Sequence, residues 1–260
     1  MLPKVGQSVT ATCEEAWESP PPHLVMPDGT VHVWRASLDS PLRHVERLTR
    51  VLSDAEHTRA GQFCFERDRN RFIARRGLLR MILGRYLAIP PDQLQVHSGV
   101  NGKPALSASQ AGGIDFSVSH SHGLALYAVT RGRRIGIDIE RIRAVPDSYR
   151  MAGRVLSPRE YAVFRILPRE HWQTALFYAW TRKEAYSKAC GRGLSCPFDH
   201  LDVSLAPFEP SRPLSLQGQP HVSSGWSLQG LTAAPGYAAA LACEAGGELP
   251  VSCWQWPEWL

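Results

Sequence analysis

One short segment constrains the fold of this chain more than any other. Isoleucine occupies every second position from 135 to 139, interrupted by Gly136 and Asp138, and Glu140 completes the run. A period of two is typical of a β-strand, because successive side chains of a strand point to opposite faces. We therefore expect a strand with isoleucines on one face and with Asp138 and Glu140 side by side on the other.

A second acidic segment has the period of a helix. Trp180, Glu184 and Lys188 are spaced by four residues, so they stack along one side of a helix, with Lys183 beside them. If this helix meets the strand, three carboxylates converge beside two ammonium groups. Mg²⁺ prefers a few carboxylate oxygens together with the phosphate oxygens of a substrate. The pattern therefore indicates a cation site for a phosphorylated ligand.

Each acidic segment alone has a plainer interpretation, as a solvated strand edge or as a surface ion pair of little energetic value. A third segment favours phosphate binding. Gly102-Lys103-Pro104 is a turn that presents one ammonium group, and the alternating strand from Phe116 ends at Ser119 and His120, which could donate hydrogen bonds to phosphate. An ordinary turn hydroxyl at Ser119 and a His-x-His metal site at His120 and His122 are the alternatives.

Taken together, these motifs resemble a known family. The matching segments, in chain order, are Gly102-Lys-Pro104, Phe116-Ser-Val-Ser-His120, Gly136-Ile-Asp-Ile-Glu140, Trp180-x-x-Lys-Glu-Ala185, Lys188 and Gly191-Arg-Gly-Leu194. Their order and spacing are similar to those of the 4′-phosphopantetheinyl transferases, specifically the Sfp-type group and its cyanobacterial-style members. The resemblance covers residues 31–245.

The resemblance implies an enzyme that transfers the 4′-phosphopantetheine arm of coenzyme A to a serine of an apo acyl or peptidyl carrier protein. The second product is 3′,5′-ADP, and Mg²⁺ assists, with Mn²⁺ as a possible substitute. Carried over by motif, the metal ligands are Asp138, Glu140 and Glu184. The residues implied to contact the phosphates of coenzyme A are Lys103, Ser119, His120, Lys183 and Lys188.

The implied chemistry is consistent with these residue types. Attack of a serine hydroxyl on the β-phosphate accumulates negative charge on phosphoryl oxygens, and a metal ion with surrounding ammonium groups opposes that charge. The serine proton also needs an acceptor. Glu184 and a metal-bound water are both candidates for the general base, and Asp138, Glu184 and Lys188 are the expected catalytic residues.

Arginine is concentrated in one predicted helix. The arginines at 67, 69, 71, 75, 76, 80 and 85 are interleaved with apolar residues at helical spacing. A nucleic-acid-binding helix and a merely solvated basic face are two interpretations. We favour a mixed role, in which Arg75 or Arg76 reaches the 3′-phosphate or adenine side of coenzyme A while other arginines attract an acidic carrier protein. No recognised nucleic-acid-binding module surrounds the helix, so no nucleic acid partner is expected.

The resemblance also implies the fold. It is an α+β class with two similar lobes in a pseudo-twofold arrangement, each a mostly antiparallel sheet packed on a long helix, with the active site in the cleft between them. The two halves of the sequence have weakly similar patterns of helices and strands, which agrees with this arrangement of lobes. We expect a flexible leader over 1–30, an N-terminal lobe over 31–133, and a C-terminal lobe with a Trp-rich tail over 134–260. The long helices are predicted over 67–87 and 171–189, and Ser53 and Ser157 each begin a helix as its cap.

Composition limits the remaining function classes. The 260 residues are 43% hydrophobic and 20% charged, which is ordinary for a globular protein, and no apolar run is long enough to span a membrane. Six scattered cysteines without a Cys-x-x-Cys pair, and an amino end unlike a signal peptide, predict reduced thiols, a cytoplasmic location and no membrane partner. A monomer is expected. A metal-dependent phosphohydrolase and a non-catalytic module binding coenzyme A or a nucleotide are the alternative functions.

Overall fold

The computed structural model describes residues 17–99, 102–191, 193, 196–206, 215–216, 225–245 and 249–257. Strands and helices are mixed along the chain, which confirms the α+β class. The strands are β1 (Val31–Ser37), β2 (Val96–Ser98), β3 (Pro104–Leu106), β4 (Ile114–Ser121), β5 (Leu124–Arg131), β6 (Ile135–Arg141), β7 (Leu201–Asp202), β8 (Ser215–Leu216), β9 (Trp226–Gly230), β10 (Tyr237–Glu244) and β11 (Val251–Gln255). The helices are α1 (Leu42–Thr49), α2 (Asp54–Gly61), α3 (Glu66–Leu87), α4 (Ser148–Val155), α5 (Pro158–Ile166) and α6 (Arg169–Cys190).

The two long helices cover two separate sheets. The first sheet has the order β11-β1-β5-β4 and the second the order β6-β10-β9. Helix α3 packs on the first sheet through one continuous apolar core that includes Trp34, Leu79 and Tyr127. Helix α6 packs on the second sheet through Ala185, Ala189 and alanines of β10. Each sheet therefore has its own long helix, as the sequence predicted, while the pseudo-twofold relation stays a prediction.

A second apolar core lies between the two sheets. The isoleucines of β6 at 135, 137 and 139 are fully buried there, against Val33 and Leu126 of the first sheet. The alternation read from the sequence is thereby confirmed, because the isoleucine face of β6 turns inward and Asp138 lies on the opposite face, toward α6. The layers run in the order α3, first sheet, second sheet, α6.

Two helix starts confirm the caps that the sequence predicts. Ser53 Oγ accepts a hydrogen bond from the backbone N–H of Glu56, and the Glu56 carboxylate accepts one from the backbone N–H of Ser53. Ser157 and Glu160 form the same reciprocal box at the start of α5. Such boxes satisfy amide groups that the first turn of a helix leaves unpaired.

The carboxyl-terminal strand belongs to the first sheet. β11 runs parallel to β1, with Trp254 opposite Trp34 in the register. Trp256 packs against Trp34 with ring centroids 5.8 Å apart. This part of the Trp-rich tail is therefore packed on its own chain, beside residues of the predicted N-terminal lobe, while Trp259 lies outside the described residues.

The cysteines need one correction. Cys64, Cys190, Cys196 and Cys243 form no disulfide, as expected, whereas Cys253 in β11 is disulfide-bonded. The expectation of reduced thiols throughout is wrong at this position, since sequence spacing alone cannot show which cysteines the fold brings together. Within the described ranges, the helices lack the combination of length and apolarity that crossing a membrane requires.

Candidate active site

Asp138 is the centre of a polar cluster at the junction of the two sheets. It is only 4% exposed, and its Oδ1 accepts hydrogen bonds from Ser119 Oγ at 2.8 Å and from Lys188 Nζ at 2.6 Å. Lys188 also donates to Ser119 Oγ at 3.0 Å. The three residues come from β6, β4 and α6, so the structure brings together residues that are 69 positions apart at the extremes. The other carboxylate oxygen, Oδ2, is buried without a hydrogen-bond partner in the part of the chain described.

Gly136 explains how α6 comes so close to this strand. It lies on the same face of β6 as Asp138, and a Cβ atom built there would fall 2.5 Å from the backbone nitrogen of Ala189 and would collide with the carbonyl oxygen of Ala185. Only glycine allows this approach without a shift of backbone. The close packing places Lys188 within hydrogen-bond reach of Asp138.

Glu140 and Glu184 are electrostatic neighbours of Asp138. Burial raises the pKa of Glu184, and the negative charges of Asp138 and Glu140 raise it further, against the opposing effect of Lys188. Burial also raises the pKa of Glu140, with a further contribution from Asp138, while the hydrogen bond that Ser121 donates to Glu140 at 2.7 Å acts in the opposite direction. The structure thus brings the three predicted metal-ligand residues into one region.

This acidic region fits a hard divalent cation. Its donors are all carboxylate oxygens, and the unpartnered Oδ2 of Asp138 lacks the hydrogen bond that a buried polar atom ordinarily has. The side chains do not already form a closed ligand shell, since no group of three or more His, Cys, Asp or Glu residues within the described ranges has metal-site spacing. A bound cation would have to draw Glu140 and Glu184 closer to Asp138.

Positively charged groups border the acids on the side of the first lobe. Lys103 donates from Nζ to the carbonyl oxygen of Ile135 at 2.8 Å, and its pKa is lowered by burial and by the nearby Lys188. The His120 ring keeps an exposed edge, yet its pKa is lowered to about 4 by loss of solvent and by the charges of Arg75, Lys188 and Arg71. The positive charges that surround His120 would favour a bound anion beside its ring.

Arg75 and Arg76 have different surroundings. Arg76 donates from Nε to Glu56 Oε1 at 2.6 Å, and Arg80 binds the other oxygen of the same carboxylate. Arg75 lies over the ring of Phe72 at 5.5 Å and contributes to the lowered pKa of His120. Of the two arginines, the structure directs Arg75 toward the cluster and holds Arg76 in an internal ion pair.

Lys183 is not brought to the cluster. It is fully buried, and its ammonium group donates to Glu160 Oε2 at 2.5 Å and to the carbonyl oxygens of Val155 and Phe198. The side chain is fully buried and its partners lie outside the cluster, so the ammonium group does not face a phosphate site. This corrects the placement of Lys183 among the phosphate contacts and pairs it with Glu160 of α5.

Sequence reasoning missed two serines that join the two sheets. Ser117 and Ser121 lie on the same face of β4 as Ser119, and each hydroxyl accepts a hydrogen bond from a backbone N–H of β6, that of Ile137 and that of Arg141. The period of two through the three serines was the available signal. That period does not by itself show that this face of β4 meets the second sheet.

Two family profiles match the chain. Residues 34–131 match the profile described as "4'-phosphopantetheinyl transferase, N-terminal", and residues 134–242 match "4'-phosphopantetheinyl transferase superfamily". The 4′-phosphopantetheinyl transferase HetI of Nostoc sp. is 40% identical over 238 residues, which are 91% of this chain and 97% of HetI. The L-aminoadipate-semialdehyde dehydrogenase-phosphopantetheinyl transferase of Homo sapiens is 28% identical over 167 residues, 61% of this chain and 54% of the human protein.

A solved structure gives a weaker similarity. The holo-[acyl-carrier-protein] synthase AcpS of Thermotoga maritima aligns with a TM-score of 0.34 and 22% sequence identity, over 44% of this chain and 64% of that chain. We draw no argument from an overlap of this extent.

Proposed function

The chain belongs to the 4′-phosphopantetheinyl transferase family, and from this premise we propose that it transfers the phosphopantetheine arm of coenzyme A to a serine of an apo carrier protein and releases 3′,5′-ADP. One observation carries the proposal. Asp138 has one oxygen held by Ser119 and Lys188 and the other unpartnered, beside Glu140 and Glu184. The narrower Sfp-type assignment remains a prediction.

Mg²⁺ is the cation we propose, held by Asp138, Glu140 and Glu184. Their oxygen donors suit Mg²⁺, and Mn²⁺ takes the same ligands. When bound, the ion would supply positive charge to the pyrophosphate oxygens as the transferring phosphoryl group gains negative charge. The unpartnered Oδ2 of Asp138 is the observation that supports the ion at this position.

The phosphates of coenzyme A would lie against Lys103, His120, Arg75 and Lys188. Burial lowers the pKa of Lys103 and of His120 in the free protein, neighbouring positive charges lower both further, and a bound anion would offset the repulsion between those charges. Ser119 already uses its hydroxyl proton for Asp138, so we propose that it contributes mainly by orienting that carboxylate. Arg76 would then stabilise the packing of α3 through its ion pair with Glu56, and Arg75 would be the arginine that contacts the anion.

The transfer itself needs one bond formed, one broken and one proton moved. The carrier serine Oγ attacks the β-phosphorus, the bond from that phosphorus to the bridging oxygen breaks, and 3′,5′-ADP leaves with the electron pair. Glu184 is our choice for the group that takes the serine proton. Burial and its acidic neighbours raise the pKa of Glu184 in the metal-free protein, and a carboxylate that binds a cation through one oxygen would keep the other for the proton.

The proposal extends to partner, state and location. An acidic carrier protein complements a chain with a net charge of +5, and a monomer suffices because one chain supplies both sides of the cluster. We place the enzyme in the cytoplasm, in keeping with four cysteines that form no disulfide, while the bonded Cys253 is the observation at odds with a reducing compartment.

Incubation with coenzyme A, Mg²⁺ and an apo carrier protein tests the function. We expect the carrier to gain the mass of one phosphopantetheine in intact-protein mass spectrometry, and to gain nothing with chelator or with a carrier whose acceptor serine is replaced by alanine. Release of nucleotide without carrier labelling would instead identify a phosphohydrolase. Binding of coenzyme A with neither product would identify a binding module.

A further inference from the structure

The contact between β4 and β6 has an unusual chemical form. Within the described residues, the sheet orders place β4 and β6 at the edges of different sheets. Hydroxyl groups stand where a backbone ladder would be: Ser117 Oγ accepts from the N–H of Ile137 and Ser121 Oγ from that of Arg141, each at 3.1 Å. Side chains of β4 therefore join the two lobes at this contact, which we call the serine seam (Ser117, Ser119 and Ser121).

Two hydroxyl groups of the serine seam also donate hydrogen bonds to acidic side chains. Ser119 donates to Asp138 at 2.8 Å, and two residues further along both strands Ser121 donates to Glu140 at 2.7 Å. The repeat follows from the shared period of the strands, which turns every second side chain to the same face. Ser117 occupies the preceding position and has no acid opposite it, because residue 136 is glycine.

We propose that Ser121 is a positioning residue that orients the Glu140 carboxylate for the divalent cation, an inference that rests on the proposed function. A serine hydroxyl has one proton, and in Ser121 that proton is directed to Glu140 Oε2 while the oxygen accepts from Arg141. Both interactions fix the side chain, which is 7% exposed. Ser121 thereby holds one oxygen of Glu140, as Ser119 and Lys188 hold one oxygen of Asp138.

The competing explanation is that Ser121 only joins the lobes. Ser117 separates the two explanations, because it accepts the same kind of backbone hydrogen bond at the same distance, is also buried, and touches no acid. A residue that only joins lobes would resemble Ser117 in every measurement. A residue that orients a metal ligand would change cation affinity, typically by about 10- to 100-fold when such a partner is removed.

The experiment is a calorimetric titration of Mg²⁺ into the full chain saturated with coenzyme A. We expect Ser121→Ala to raise the Mg²⁺ dissociation constant by about 10-fold or more. Ser117→Ala should leave the constant unchanged within about twofold. Ser121→Thr, which keeps a donor hydroxyl, should recover most of the affinity. If Ser121→Ala does not fold, Ser121→Cys, which retains the size but only a weak donor, replaces it in the comparison.

A double-mutant cycle shows whether Ser121 acts through Glu140. In the Glu140→Ala background, Ser121→Ala should produce little further loss of Mg²⁺ affinity, since the group it orients is gone. Full additivity, or equal Mg²⁺ affinities of Ser121→Ala and Ser117→Ala, would overturn the inference while leaving the proposed function intact. If the wild-type protein neither binds Mg²⁺ nor labels a carrier, the proposed function fails and the inference fails with it.

Discussion

Lys188 Nζ lies 2.6 Å from Oδ1 of Asp138 and joins helix α6 to the acidic strand β6. The ammonium group thus neutralises part of the charge of the Asp138 carboxylate, which is almost fully removed from water. Within the described residues, the second carboxylate oxygen, Oδ2, has no hydrogen-bond partner. A carboxylate arranged in this way is stable in the free protein and still able to receive a cation. The first prediction concerns its charge.

Asp138→Asn should reduce kcat/KM for carrier labelling by at least about 100-fold, because the amide keeps the size and the Ser119 contact but loses the charge that a cation requires. Steady-state labelling with saturating coenzyme A measures this, and circular dichroism checks that the variant is folded. Near-normal kcat/KM in a folded Asp138→Asn protein would remove the metal assignment.

Gly136→Ala should lower both activity and stability. The added methyl group meets backbone atoms of Ala185 and Ala189, so α6 must shift away from β6. We expect about 1–3 kcal/mol loss in the free energy of unfolding and a loss in kcat of about 10-fold or more, because a misplacement near 1 Å is costly in an active site. Urea unfolding and labelling rates give the two numbers. Gly61→Ala, where the new methyl meets no described atom within 4 Å, is the control and should lower neither.

Lys183→Met should destabilise the protein by about 3–5 kcal/mol, because it leaves the carboxylate of Glu160 buried without its counter-charge. Adding Glu160→Gln should restore part of the loss, since glutamine carries no charge. Urea unfolding measures both variants. Arg67→Met breaks an ion pair whose side chains are 69% and 37% exposed, and should cost less than about 1 kcal/mol. A cost for Lys183→Met as small as that of Arg67→Met would contradict the structural role.

Coenzyme A should bind more tightly as the pH falls from 8 toward 5. In the free protein the pKa of His120 is lowered from 6.5 to about 4, so the ring is neutral at pH 7. Bound phosphate favours the charged ring and raises that pKa, so binding takes up a proton wherever the pH lies between the two values. Calorimetry across this range gives the dissociation constants, and His120→Gln should flatten their pH dependence. Identical pH profiles for the two proteins would exclude His120 from the phosphate contacts.

The same lowered pKa has a consequence for stability. Because the folded state disfavours the charged ring, His120 contributes stability above the unfolded-state pKa of 6.5, and that contribution is lost as the pH falls toward 4. His120→Gln should therefore weaken the acid sensitivity of the melting temperature in this window.

Local patterns predicted the parts of the site that depend on a single element. The alternation around Asp138 defined the strand, its buried face and the position of Glu140, because the period of a strand is a local property. The helix starts at Ser53 and Ser157 were visible for the same reason. The helix that carries Glu184 and Lys188 was predicted over 171–189 and extends from Arg169 to Cys190.

The errors concern pairs that only the tertiary fold creates. Lys183 and Glu160 are 23 residues apart, and a fully buried lysine is rare enough that an exposed phosphate contact was the better guess from sequence. Arg76 was equally ambiguous until Glu56 was placed beside it. The seam role of Ser121 needed the position of β6, which no periodicity within β4 can supply.

The parallel strand at residues 251–255 has a consequence for the order of synthesis. It completes a sheet whose other strands are made early, so a ribosome must translate the entire second lobe before the first sheet can acquire its last strand. The first sheet cannot then be complete while the chain is still being made, and its final assembly must wait for contacts between residues more than 200 positions apart. Removal of this strand would expose an unpaired edge on the lobe that was translated first.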